Sequence, residues 1–209
     1  MTEPRVLPFG DLAFLVELGE GADPALVERA RAIAYRWKWG PAIPAYSSVV
    51  LQYDPSADPA MAESRVARLL RTEGSQAVAV LGRTRLVEIP VRYDGPDLGE
   101  VAAMSKLSVD ELIALHSGRD YLAYFLGFLP GWAYCGRLDR RIKAPRLLRP
   151  RERIAPGAVA VADGQTGVYP FASPGGWRLL GGTDAVMFDP ARERPSLIQA
   201  GDHVRFVPR

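Results

Sequence analysis

The side chains best able to do chemistry in this 209-residue chain gather in its second half. The stretch Gln165–Thr183, QTGVYPFASPGGWRLLGGT, combines an amide (Gln165), a phenol (Tyr169), two adjacent glycines (Gly175, Gly176) and an indole (Trp177). An upstream companion, Tyr124–Gly136, adds Phe128, Trp132 and Tyr134. Ten of the twenty glycines and six of the eighteen prolines fall between Gly127 and Thr183, interleaved with these aromatics. A flexible linker would be small and polar. Bulky side chains on tightly turned backbone are instead the composition of a barrel or a binding wall. Pro174 presets φ, the two glycines permit positive φ or close approach of another backbone, and Trp177 offers a flat apolar face with one N–H donor. Such a segment is either a ligand-facing loop or a structural turn beside a core tryptophan.

Two further features bear on chemistry. Ser108-Val109-Asp110-Glu111 is a capping box that opens a helix, so His116 falls in the last turn, where the helix dipole favours a cation. Its imidazole either bonds a free carbonyl there or points into a site. Arg137–Arg153 holds eight basic and two acidic residues, +6 in a chain whose net charge is +2. Arginine forks match carboxylate or phosphate. The loop therefore suits an anionic ligand, an acidic protein partner or plain solvent, and it carries no recognisable nucleic-acid module.

Other chemistries lack their residues. There is no GxxxxGK[ST] phosphate loop and no Gly-x-Ser-x-Gly nucleophile elbow. One cysteine, Cys135, leaves no internal disulfide and fits a reducing cytoplasm. With two histidines, His116 and His203, a zinc centre is not expected. No charged segment precedes an apolar one at the N-terminus, so no signal peptide is expected. The longest uncharged run, Tyr121–Gly136, is shorter than the ~20 residues of a spanning helix and contains Pro130.

The positioning elements read as follows. Leu12–Leu18 is β-like. Asp23 caps a helix begun by Pro24, with Leu26, Ala30, Ile33 and Trp37 at helical spacing and Gly40 beyond its end. Tyr46–Tyr53 is β-rich. Asp58-Pro59 opens a second helix with Ala62, Val66 and Leu69 on one face, stopping near Gly74, and Ala77–Leu81 is another strand. This order predicts an α/β sandwich over residues 1–82 with its helices on one sheet face. Within it, Tyr35, Trp37 and Trp39 either pack a helix on the sheet or serve a partner. After a seam at Gly82-Arg83-Thr84, Arg85–Val91 reads as a strand and Pro96-Asp97 opens a helix with Leu98, Val101 and Ala102 inward. Beyond Gly118 come short β pieces: Tyr121–Leu126, Ala158–Ala162, Gly167–Tyr169, Trp177–Leu180, Val186–Phe188 and His203–Val207. They predict a closed or nearly closed β-barrel over 83–209, completed by the terminal strand. The fold class is α+β.

Several short motifs occur in a fixed order: Pro44-Ala45-Tyr46, Ile89-Pro90-Val91 with Tyr93, Leu115-His116 and Gly127-Phe128-Leu129-Pro130-Gly131. Pro145-Arg146, Pro156-Gly157, Gln165-Thr166-Gly167-Val168-Tyr169-Pro170 and Ser173-Pro174-Gly175-Gly176-Trp177 follow. On these the chain resembles the family of 5-oxoprolinase B subunits, also named allophanate hydrolase subunit 1 and Kip-type kinase inhibitor (carboxyltransferase subdomain C and D). It departs from the family at Gly182, where arginine is usual, and at Asp184, where proline is frequent. The resemblance implies a small N-terminal α/β domain and a cyclophilin-like barrel. It implies two partners: the 5-oxoprolinase C subunit, which is allophanate hydrolase subunit 2-like and has a related barrel, and the A subunit. It also implies ATP-dependent opening of the 5-oxoproline lactam to glutamate, with ATP used at the level of the complex. In that setting His116 is the candidate acid/base or orienting group, and Arg146 and Arg151 meet the substrate carboxylate. Gln165, Tyr169, Gly175, Gly176 and Trp177 wall the pocket. His116, Gln165, Tyr169 and Trp177 are expected to share one concavity, and His116→Ala to cost ~10²-fold in turnover. The family's other names imply two alternatives: a binding module that inhibits a sensor histidine kinase, or the carboxyltransferase component of a biotin-dependent urea or amide carboxylase. The chain carries no biotinyl Met-Lys-Met segment, so the biotin would come from another chain.

Overall fold

The computed structural model describes residues 3–20, 24–71 and 85–209, in two compact units, Met1–Arg83 and Thr84–Arg209. The expected Asp23 cap, the stop near Gly74, the Ala77–Leu81 strand and the Gly82-Arg83-Thr84 seam lie outside the described residues.

The first unit is a four-stranded antiparallel sheet in the order β1-β2-β4-β3, built from β1 (Arg5–Pro8), β2 (Ala13–Glu17), β3 (Ala42–Pro44) and β4 (Ser48–Gln52). The edge strands β1 and β3 escape a propensity reading because each is short and ends in proline, a residue confined to sheet edges. Helices α1 (Pro24–Arg36) and α2 (Pro59–Arg71) share one apolar core with the sheet, formed by Val16, Ile33, Trp37, Val49, Leu51, Ala62 and Val66. Of the three clustered aromatics, Trp37 is buried and its Nε1–H donates to the Gln52 carbonyl at 2.5 Å, whereas Tyr35 is exposed.

The second unit opens with β5 (Leu86–Val91), α3 (Leu98–Ser105) and α4 (Val109–Ser117). The Ser108–Glu111 capping box is formed in full, and Leu98, Val101 and Ala102 are buried as their spacing predicts. Then follow β6 (Asp120–Leu126), β7 (Ala133–Gly136), β8 (Arg151–Ile154), β9 (Ala158–Ala162), β10 (Gln165–Val168), β11 (Ser173–Gly175), β12 (Arg178–Gly182) and β13 (His203–Pro208). Seven strands form one sheet in the order β12-β9-β10-β7-β6-β13-β5. Arg92, just past β5, exchanges two 2.9 Å backbone hydrogen bonds with Gly182 on β12, so the sheet curls into a nearly closed barrel. The terminal strand β13 runs parallel to β5 and antiparallel to β6. Strands β8 and β11 form a separate two-stranded ribbon. The expected strand at Val186–Phe188 is corrected: Phe188 makes only an isolated bridge to Ser196, and Val186 is exposed.

The wall β12-β9-β10-β7 is covered on both sides, and strand alternation sorts its residues. Val159, Val161, Val168, Leu180, Ala133 and Cys135 face the barrel interior with Tyr121 and Phe206. Ala158, Ala160, Ala162 and Leu179 face a second cluster containing Trp132, Ile154, Tyr169 and Trp177. The alanines of β9 leave room there for large rings.

Candidate functional site

The outer face of that wall carries the aromatic shell. Trp132 is 1% exposed. It meets Tyr169 at 4.5 Å and Trp177 at 5.0 Å between ring centroids, with interplanar angles of 61° and 82°. Phe128 meets Trp132 edge-on at 5.7 Å and is itself exposed. Edge-to-face packing sets positive ring edges against negative faces and holds the shell rigid. Glycines admit the rings. A Cβ at Gly167 would stand 3.1 Å from Cζ2 of Trp132, and one at Gly175 would collide with the Tyr169 hydroxyl and the end of Ile154.

Two guanidinium groups join this shell. Arg146 lies 5.9 Å from the centroid of the Trp177 ring, a cation–π arrangement, and its Nε donates to Asp163 at 2.8 Å. Its loop is held on both sides: Pro145 O accepts from Arg178 Nε at 3.1 Å, and Leu147 N–H donates to Gly176 O at 2.8 Å. Arg178 is fixed in turn by Glu100 at 2.6 Å. Arg151 leaves β8 opposite Gly175 and donates from Nη2 to Asp97 at 2.6 Å. Burial raises the Tyr169 phenol above its ordinary pKa, although the Trp177 backbone N–H and the nearby charges of Arg146 and Arg151 act the other way.

The inner face is a different environment. His116 is fully buried and stacks on Phe206 at 4.6 Å. Thr166 Oγ1 donates its single proton to Ala160 O at 3.1 Å. The 2.9 Å contact between Thr166 Oγ1 and His116 Nε2 therefore requires Nε2 to carry the imidazole proton. Nδ1 is then left to accept from the Tyr93 hydroxyl at 2.7 Å. Tyr121 donates to the His116 carbonyl at 2.8 Å. The ring is neutral with both nitrogens engaged, and burial pushes its pKa down to about 3.

Of the residues singled out in the sequence, Arg146, Arg151, Tyr169, Gly175 and Trp177 are brought together, and Gly176 supplies the backbone carbonyl that holds the Arg146 loop. Gln165 is buried, and alternation sets it on the Gly167 side of β10. The expected convergence with His116 is corrected: Thr166, which meets His116, points to the opposite side of the same strand. The basic loop is also corrected in part. Leu138, Ile142 and Ala144 are buried in the core, and the segment ends in β8. Sequence reasoning missed Asp97, legible only as a helix opener. Its side chain makes no cap hydrogen bond and instead holds Arg151 and the Leu179 N–H. Among the described residues the outer face gathers two guanidinium groups, each paired with a carboxylate, a phenol and closely packed aromatic rings.

Residues 4–198 match the family described as carboxyltransferase domain, subdomain C and D, and the chain belongs to that family. It is 38% identical over 217 residues to the 5-oxoprolinase B subunit of Escherichia coli O157:H7, an alignment taking in 100% of this chain and 98% of that one. It superposes on the crystal structure of TTHA0988 with a TM-score of 0.82 and 40% identity over 95% of its own length, while spanning only 40% of that longer chain. Kluyveromyces lactis urea carboxylase shares the fold at 17% identity, with a TM-score of 0.74 over 99% of this chain and 22% of the other. Among the described residues, no helix is long and apolar enough to cross a membrane.

Proposed function

We propose that this chain is one component of an ATP-dependent 5-oxoprolinase-type lactam hydrolase, working with the C and A subunits of such an enzyme. The aromatic outer face of its barrel is its share of a composite site. The carrying observation is the assembly of Arg146, Arg151, Tyr169 and Trp177 on one face, each arginine already oriented by a carboxylate. The full-length likeness to a 5-oxoprolinase B subunit supports the same reading. An unstrained lactam is resonance-stabilised, so water attack needs an activated carbonyl and stabilised charge. This chain's residues bind and orient: the exposed Phe128, set edge-on to Trp132, offers the flat ring an apolar face, and the arginines anchor its polar edge. ATP belongs to another chain in this reading. Arg146 and Arg151 each already hold a carboxylate, Asp163 and Asp97, and so do not form a triphosphate cradle. His116 is proposed as a packing and orienting residue of the barrel core. Co-expression with the A and C subunits and assay of ATP-dependent glutamate release from 5-oxoproline tests the reading. A complete, assembled set without turnover would refute it.

A further inference from the structure

We propose that Asp97 and Arg151 form a preset fork that takes the carboxylate of a small ligand, with Asp97 as the residue that positions the guanidinium. The inference rests on the outer face being a ligand site and names the ligand group it recognises.

Asp97 is fixed before it meets Arg151. Its backbone N–H donates to Leu179 O at 3.1 Å, and its Oδ2 accepts the Leu179 N–H at 2.7 Å. The other oxygen, Oδ1, takes Arg151 Nη2 at 2.6 Å. The carboxylate is 6% exposed. A guanidinium is planar, so pinning one terminal nitrogen fixes where the other stands. That other nitrogen, Nη1, is buried and has no hydrogen-bond partner among the described residues. Leaving a buried charged donor unmade is costly, and each such exception calls for a partner.

Two more buried donors in the same neighbourhood lack partners among the described residues: the indole Nε1–H of Trp132 and the hydroxyl of Ser173. Ser173 pairs across the β8–β11 ribbon with Ile154, three residues from Arg151, and Ile154 belongs to the Trp132 cluster. All three groups can donate. A carboxylate is acceptor-only, with about four lone-pair sites, and answers such a set. A cation or an apolar group does not. A phosphate dianion would meet Asp97 and Asp163, which already offset the two arginines, so a monoanion is favoured. The exposed ring of Phe128, edge-on to Trp132, takes the carbon skeleton.

The test uses the full chain and follows the Trp132 indole N–H resonance during titration with 5-oxoproline, its neutral carboxamide, and succinate. The acid should bind at least ~10-fold more tightly than the carboxamide, on the scale of a charge-assisted hydrogen bond. Asp97→Asn should remove most of that preference while carboxamide affinity holds. Arg151→Lys, which keeps the charge but not the fork, should do the same and covers the case in which Asp97→Asn fails to fold. Equal binding of all three compounds, or an acid preference surviving both substitutions, would overturn the fork. Preference for succinate without binding of 5-oxoproline would keep the fork and count against the lactam hydrolase reading. Turnover of 5-oxoproline by the assembled complex without any acid preference would do the reverse.

Discussion

The two faces of the β9–β10–β7 wall are built from adjacent residues of the same strands and do opposite things with polarity. On the inner face, His116 has both ring nitrogens engaged, by Tyr93 and by a Thr166 whose own proton goes to Ala160. On the outer face, Trp132, Arg151 and Ser173 each present a buried polar atom without a partner among the described residues. A closed hydrogen-bond circuit stabilises and specifies a core, while each buried donor without a partner is a costly exception. A titratable group at a helix end is thus a weaker sign of a site than a set of unmet donors on an aromatic surface.

The sharpest way to break this contrast is to damage each face in the assembled complex. Trp177→Ala and Arg151→Gln should each lower turnover by ~10²-fold, the scale of a lost charge-stabilising contact. Both also cost stability, because Trp177 is packed in the shell and Arg151 partners a buried Asp97, so turnover is compared per folded molecule. His116→Ala should differ in where its effect falls, costing about 3 kcal/mol through a cavity and the stranded Tyr93 hydroxyl, while Thr166 keeps its bond to Ala160. Its turnover per folded molecule should stay within about twofold, since it touches no ligand. A large turnover defect in folded His116→Ala would restore the acid/base role that the sequence suggested.

Acid should find the inner face first. The folded pKa of His116, about 3, lies below its ordinary 6.5. Between those values the unfolded chain binds a proton that the native chain does not, so stability falls as pH falls, by about 1.4 kcal/mol per pH unit from this group. The contribution is fully present above pH 6.5 and is lost progressively toward 3. Urea midpoints of wild type and His116→Gln should therefore converge as pH is lowered through this window. Parallel curves would show that His116 does not titrate in this way.

A smaller effect belongs to the outer face. Gly175→Ala puts a methyl against the Tyr169 hydroxyl and Ile154. Overpacking of this kind costs about 1–3 kcal/mol, and it should also perturb Tyr169 fluorescence and weaken ligand binding.

Much of this arrangement was legible in the sequence, for reasons that also mark where legibility stopped. The α4 capping box and the β9 run are local signals, and both formed. The direction of His116 was also available: it follows Leu112 by four residues, on that helix's buried stripe. Its place in the last turn drew attention to charge instead. Strand β8 was hidden because Arg151–Arg153 reads as solvated charge, and its pairing depends on a ribbon partner, β11, about twenty residues on. Asp97 was hidden for the same physical reason at longer range, since its partner Arg151 lies 54 residues away. Local spacing places backbones; which side chains meet across the barrel is set by tertiary register.

The smallest expected effect concerns Cys135, which sits on the inner face of β7 one residue from Tyr134 of the outer shell. Burial pushes its thiol up to about 12. The thiolate is the reactive form, so at neutral pH the native chain offers almost none of it. The thiol also lies in a packed core, 1% exposed. Iodoacetamide should leave it unmodified in the native protein and alkylate it on denaturation. Cys135→Ala should then cost only about 1 kcal/mol, as loss of a small buried group, with turnover unchanged. Rapid labelling of the native chain, or loss of turnover on labelling without unfolding, would mean that reagents reach the inner face, and the division between the two faces of the wall would fail at that strand.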